Sequence, residues 1–120
     1  MFEKLAQIEQ TYEELTHKLA LPETVANPAA FREASKTLSD LDVTVKLYRQ
    51  YRDVKRQQRD TAEMLEGLPK DDELYELAQA EQKELLERMV ALEEELRKEL
   101  IPKDPNDSRN VVLEIRAGTG

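Results

Sequence analysis

The stretch between Pro28 and Gly67 contains neither glycine nor proline, so no local signal interrupts a helix there. It predicts one helix over residues 28–66, which at 1.5 Å per residue would be roughly 60 Å long. A break within residues 43–45 is the alternative, because the β-branched run Val-Thr-Val lowers helix propensity slightly. The rest of the chain has to be arranged around this helix.

The apolar residues of this long helix do not stay on one face. In the first half, apolar spacing of three and four gives a stripe formed by Phe31, Ala34, Leu38, Leu41, Val45 and Tyr48. In the second half, the same spacing gives a stripe formed by Leu47, Tyr51, Val54, Gln58, Ala62 and Leu65. At about 100° per residue the stripes point to roughly opposite sides. We therefore expect different neighbours to cover the two halves.

A shorter helix is predicted over residues 2–20. Its apolar stripe consists of Leu5, Ile8, Tyr12, Leu15 and Leu19. Charged residues such as Glu9 fall mostly on its other faces. Pro22 is expected to end it, and residues 21–27 form a short linker, which implies an antiparallel arrangement with the long helix. Asn27 followed by Pro28 suits a helix start, as a capping side chain and a first-turn proline.

The last predicted helix covers residues 71–100. Gly67 is expected to cap the long helix and Pro69 to prevent its continuation. The predicted seam consists of Leu74, Ala78, Leu85, Met89, Leu92 and Leu96, with Glu81 as a polar interruption. A broader apolar arc in the second half predicts contact with more than one neighbour, through Leu86, Val90, Ala91, Leu100 and Ile101. The predicted fold is all-α, a three-helix antiparallel coiled-coil-like bundle continued by a two-helix arm.

Composition restricts the classes of function. The 120 residues carry a net charge of −8, so any contact with phosphate must come from a local basic patch. There is no cysteine for disulfide or thiolate chemistry. The first residues include Glu3 and no apolar core, which argues against a signal peptide, and no apolar run approaches the ~20 residues of a membrane helix. These features predict a cytoplasmic protein without membrane contact.

The tail has a different character from the helices. Residues 102–110 are a linker rich in turn residues, and the apolar residues Val111, Leu113 and Ile115 alternate with their neighbours as in a half-buried strand. The predicted organisation is a helical domain at 1–101, the linker, and the first strand and turn of a truncated second domain at 111–120. A strand without its sheet is expected to be disordered or to mediate self-association through its edge.

The run from Ile101 to Gly120 closely resembles the junction in bacterial peptide chain release factors. Its ending, Arg116-Ala117-Gly118-Thr119-Gly120, is more similar to the type-1 factor, which reads UAA and UAG, than to type 2. The resemblance implies an N-terminal helical domain that contacts the ribosome near the stalk base, through ribosomal RNA, a stalk-base protein or both. It also implies a following codon-reading domain, and a Gly-Gly-Gln domain that promotes hydrolysis of peptidyl-tRNA in translation termination.

Neither the codon-reading region nor a Gly-Gly-Gln motif occurs in these 120 residues. We therefore predict no catalytic residue, cofactor, metal site or small-molecule substrate. His17, the single histidine, is interpreted as a surface residue. The alternative function is a free-standing helical coiled-coil adaptor that binds a protein partner.

The candidate partner-binding residues form a basic arc on the long helix. They are Lys46, Arg49, Arg52, Arg56 and Arg59, with Lys55 at the edge. Against Asp53 and Asp60, these six bases leave a local charge of about +4. Such an arc can dock on phosphate or carboxylate groups, because arginine pairs with both. The alternative is a solvated face partly paired with glutamates of the last helix, namely Glu81, Glu84 and Glu87.

Overall fold

A computed structural model describes residues 1–102 of the protein, and all regular structure in this range is helical. The four helices are α1 (Phe2–Leu19), α2 (Pro22–Val25), α3 (Pro28–Gly67) and α4 (Glu73–Leu100). The all-α prediction is confirmed, and α2 is an addition to the three expected helices. The predicted strand at 111–116 lies outside the described residues.

Helix α3 runs without a break through residues 43–45, so the continuous interpretation is confirmed. Thr44 and Val45 are buried, and packing there outweighs the slightly lower helix propensity of β-branched residues. At the start of α3, Asn27 Oδ1 accepts a hydrogen bond of 3.2 Å from the backbone N–H of Ala30, which confirms the predicted cap.

The expected glycine cap at the other end of α3 is wrong. Gly67 is the last helical residue and not the one that follows the helix, and its φ lies outside the left-handed region. Helix α4 begins at Glu73, two residues later than predicted, because Asp72 caps it. The Asp72 carboxylate accepts a 2.9 Å hydrogen bond from the backbone N–H of Leu74.

The described chain divides into two compact units, and the first comprises Met1–Val45 together with residues 99–102. Its buried apolar side chains are Leu5, Ala34 and Val45. The Tyr12 hydroxyl, in the α1 stripe, donates a 2.9 Å hydrogen bond to Asp42 Oδ1 of α3. This polar contact joins α1 to α3 within the first unit.

Three details of the first unit differ from the sequence prediction. Pro22 does not merely end α1 but begins the single turn α2, since a first-turn proline loses no helical hydrogen bond. Glu9 is buried, with 8% of its surface exposed, and takes part in a side-chain interaction. Phe31, assigned to the first stripe, is exposed because α3 has no cover at that position within the described residues.

The second unit, Lys46–Lys98, pairs the later part of α3 with most of α4. The Tyr51 hydroxyl of α3 donates a 3.1 Å hydrogen bond to Glu93 Oε1 of α4. This contact, together with the short connection of residues 68–72, makes the two helices antiparallel. Most of their buried residues belong to the predicted stripes and seam, namely Tyr48, Tyr51, Val54, Ala78, Leu85, Leu92 and Leu96. Thr61 is buried although no predicted stripe included it, and Leu74, assigned to the seam of α4, is exposed.

Two further predictions about α4 are wrong. The polar interruption of the seam is Gln82 and not Glu81, because Gln82 continues the spacing from Ala78 to Leu85 while Glu81 is exposed. The broad apolar arc, predicted to contact more than one neighbour, is mostly exposed in the described part of the chain. Leu86, Val90, Ala91 and Ile101 are exposed, and Leu100 is half-buried.

Candidate functional site

The predicted basic residues lie on α3 within the second unit. We define the basic face as Lys46, Arg49, Arg52, Arg56 and Arg59. All five are exposed. The helical period of about 100° per residue turns the four arginines roughly 130–170° away, and Lys46 about 90° away, from the buried stripe of Tyr51, Val54 and Thr61, which packs toward α4. The basic face is therefore directed away from α4.

Arg52 is held by an aromatic ring. Its guanidinium carbon lies 5.0 Å from the ring centroid of Tyr48, which is itself buried. A guanidinium over an aromatic ring is attracted by the ring quadrupole, and Arg52 also takes part in a further interaction within the chain. Tyr48 thus restricts the orientation of one cation on the basic face.

Arg56 is paired with an acid on its own helix. Its Nη2 contacts Asp53 Oδ1, and Gln57 Nε2 donates a 2.8 Å hydrogen bond to Asp53 Oδ2. The Arg56 and Asp53 side chains are both more than half exposed, so the pair contributes only about 0–1 kcal/mol.

The remaining cations differ in their surroundings. Within residues 1–102, neither Arg59 nor Lys55 forms an ion pair, whereas Lys46 and Arg49 are engaged in interactions. The glutamates named in the alternative interpretation, Glu81, Glu84 and Glu87, form no ion pair with the basic face in the described part of the chain. Pairing with these glutamates therefore does not neutralise the face.

The two helices of the second unit carry opposite charge. Helix α4 contains nine glutamates against four basic residues, and its exposed Arg97 pairs with Glu94 at 3.1 Å. In contrast, residues 46–60 of α3 contain six bases and two acids. The second unit therefore presents a basic surface on one side although the whole chain is acidic.

Tyr51 and Glu93 form a partly buried polar contact that sequence analysis missed. Burial raises the pKa of the Tyr51 phenol, and the hydrogen bond and the negative charge of Glu93 raise it further. A tyrosine in a buried stripe usually needs a partner for its hydroxyl, so the position of Tyr51 in the predicted stripe was the signal that a polar contact exists here. The partner itself could not be identified from periodicity, because Tyr51 and Glu93 lie 42 residues apart.

Residues 1–102 contain no group of three His, Cys, Asp or Glu side chains placed to hold a metal ion. His17 is exposed near the end of α1. No described helix is both long and apolar enough to cross a membrane.

The chain belongs to the PCRF domain family, which it matches over residues 8–120. More particularly, it is similar to peptide chain release factor 1 of Solidesulfovibrio magneticus, Syntrophomonas wolfei and Listeria monocytogenes, with 46%, 43% and 42% identity over 120 residues. Each alignment covers the whole chain but only 33–34% of the relative. No solved structure matches the chain significantly.

Proposed function

We propose that the chain is the N-terminal ribosome-interaction region of a class I peptide chain release factor, acting in the cytoplasm at UAA and UAG codons. The observation that supports this most strongly is the 46% identity with peptide chain release factor 1 across all 120 residues. The ending from Arg116 to Gly120 is a further resemblance to the type-1 factor. The chain contributes docking to termination, while codon reading and hydrolysis belong to regions outside it.

The basic face is the proposed docking surface. Arg49, Arg52, Arg56 and Arg59 follow one another at intervals of three, four and three residues, which correspond to rises of about 4.5–6 Å along α3. Such a row of guanidinium groups can contact successive phosphates of a nucleic acid backbone. Ribosomal RNA fits this row, and an acidic surface of a stalk-base protein would use the same cations.

A chimera tests the proposed function. The chain replaces the aligned third of the Listeria monocytogenes factor, and peptide release is measured on purified ribosomes programmed with each stop codon. We expect release at UAA and UAG within about tenfold of the intact factor, and none at UGA. A matched control carries an unrelated antiparallel helical hairpin in place of the chain. Release no faster than this control would contradict the proposal and favour the adaptor alternative.

Charge reversal tests the basic face. The variant Arg52→Glu, Arg56→Glu, Arg59→Glu of the 120-residue chain is expected to bind ribosomes at least about tenfold more weakly. The slope of log affinity against log salt should fall by about three if each arginine contacts a phosphate. An unchanged slope with weaker binding would instead indicate an acidic protein as the partner.

A control variant separates local docking from net charge. Lys83→Glu, Arg88→Glu, Lys98→Glu changes the charge by the same amount at three exposed positions of α4. We expect its affinity to stay near that of the unmodified chain, with helicity checked by circular dichroism. Equal weakening by both variants would show that overall charge, and not the basic face, governs binding.

A further inference from the structure

Exposed apolar side chains lie on α3 and α4 close to the turn that connects these helices, apart from the basic face. Met64, Leu74 and Leu77 are exposed to 54%, 54% and 67%. We call these three residues the tip patch. Exposed side chains of this size near one another are typical of interaction surfaces.

Helix geometry brings the members of the tip patch to one side of the hairpin. Met64 directly precedes Leu65, a half-buried member of the predicted apolar stripe of α3, and Leu77 directly precedes the buried Ala78. Each is therefore turned by about 100° in the same sense from its core position, and in an antiparallel pair this places both on the same side. Counting 13 residues from the Tyr51–Glu93 contact toward the turn puts Met64 level with Ala80. Leu77 is then only about 4.5 Å further along the axis.

Acidic residues surround the tip patch. Between residues 63 and 77 there are six carboxylates and one base, Lys70. Of the carboxylates, Glu63, Glu66 and Glu73 are exposed, and none of them forms an ion pair within residues 1–102. The geometry points to a docking site for a basic protein segment that inserts apolar side chains into the tip patch. RNA does not fit it, because carboxylates repel phosphates, and the like charge of two tips opposes pairing through this site.

The tip patch differs from the other exposed apolar residues of the unit. Leu86 and Val90 of α4 are also exposed, but their neighbours one turn away include Lys83 and Glu87, which have opposite charges. An acidic rim is thus confined to the hairpin tip. This site uses a different surface and a different partner chemistry from the basic face, so its existence does not depend on the proposed function.

A labelled amphipathic peptide of leucine and lysine provides the probe. We expect it to bind the 120-residue chain, and the variant Met64→Gln, Leu77→Gln to weaken binding at least about tenfold, measured by fluorescence anisotropy. The variant Glu63→Gln, Glu66→Gln, Glu73→Gln should weaken binding about threefold and flatten its salt dependence. Glutamine preserves helix propensity, so circular dichroism should remain unchanged.

Matched controls make the test specific. Leu86→Gln, Val90→Gln removes two other exposed apolar residues, and Glu87→Gln, Glu94→Gln, Glu95→Gln removes three exposed carboxylates of α4 that lie further from the tip. Both should change affinity by less than about twofold. Equal losses in test and control variants would overturn the proposal. The proposal would also be overturned if an RNA oligonucleotide or an acidic peptide bound the chain, or if the chain dimerised, and the variant Met64→Gln, Leu77→Gln abolished that binding or dimerisation.

Discussion

Removing the Tyr51 hydroxyl should destabilise the second unit by an amount that depends on pH. In Tyr51→Phe, the 3.1 Å hydrogen bond to Glu93 Oε1 is lost while the ring stays in the core. Hydrogen bonds to charged groups contribute roughly 1.5–3 kcal/mol. Glu93 is only half-buried and can regain water, so we expect the free energy of unfolding to fall by about 1 kcal/mol at neutral pH.

The pH dependence follows from the raised pKa of Tyr51, which burial causes first and Glu93 increases. Tyrosine in the unfolded chain ionises near pH ~10, below the folded value. The unfolded state therefore loses its proton first, and the stabilisation, which is complete below about pH 10, is lost as pH rises further. Since the phenylalanine side chain of the variant does not ionise, the stability advantage of the unmodified chain should shrink as the pH rises from about 10 to about 11.

Urea unfolding followed by far-ultraviolet circular dichroism measures both effects. Tyr75→Phe is the control, because Tyr75 is half-buried and makes no side-chain hydrogen bond within the described residues; its expected cost is below about 0.5 kcal/mol. The remaining tyrosines are common to both proteins and cancel in the difference. Equal stability of Tyr51→Phe and the unmodified chain at neutral pH, or a difference that stays constant up to about pH 11, would refute the reasoning.

Substitutions at three further positions test helix propensity, helix capping and core packing. Gly67→Ala should raise the free energy of unfolding by about 0.5 kcal/mol, since the φ of Gly67 is not left-handed and an added Cβ would meet nothing within 4 Å. A lower melting temperature of the variant would instead support the predicted glycine cap. Asn27→Ala should cost about 1 kcal/mol through loss of the hydrogen bond to Ala30, and Asn27→Asp should cost little; equal losses in thermal melts would exclude capping as the cause. Leu96 is fully buried, so Leu96→Ala should lower the free energy of unfolding by about 2–5 kcal/mol in urea titration. The exposed Leu77→Ala should lower it by less than about 0.5 kcal/mol. Similar losses in the two variants would mean that the assigned core is wrong.

Sequence reasoning located most helix ends because their signals act within a few residues. Asn27 with Pro28 marked the start of α3, and α1 ended within one residue of its predicted end. The periodic stripes also identified most of the second unit's core. The exposure of the basic face agrees with the same periodicity, while its role in docking remains a proposal.

Local reasoning failed where a side chain's environment depends on distant residues. Glu9 has the charge of a surface residue but is buried, and Leu77 and Val90 are apolar but exposed. Neither a hydrophobicity pattern nor a helical period states where the covering helix ends. The acidic rim of the tip patch is visible in the sequence, but its association with exposed apolar side chains is not.

By itself, the sequence determined that the described chain is helical, approximately where each helix begins and ends, and which faces are apolar or basic. Only the tertiary structure decided which apolar positions are covered, and which hydroxyl meets which carboxylate. The reason is physical: capping and propensity act between neighbours in the chain, whereas burial and contacts such as Tyr51 with Glu93 join residues that folding alone brings together.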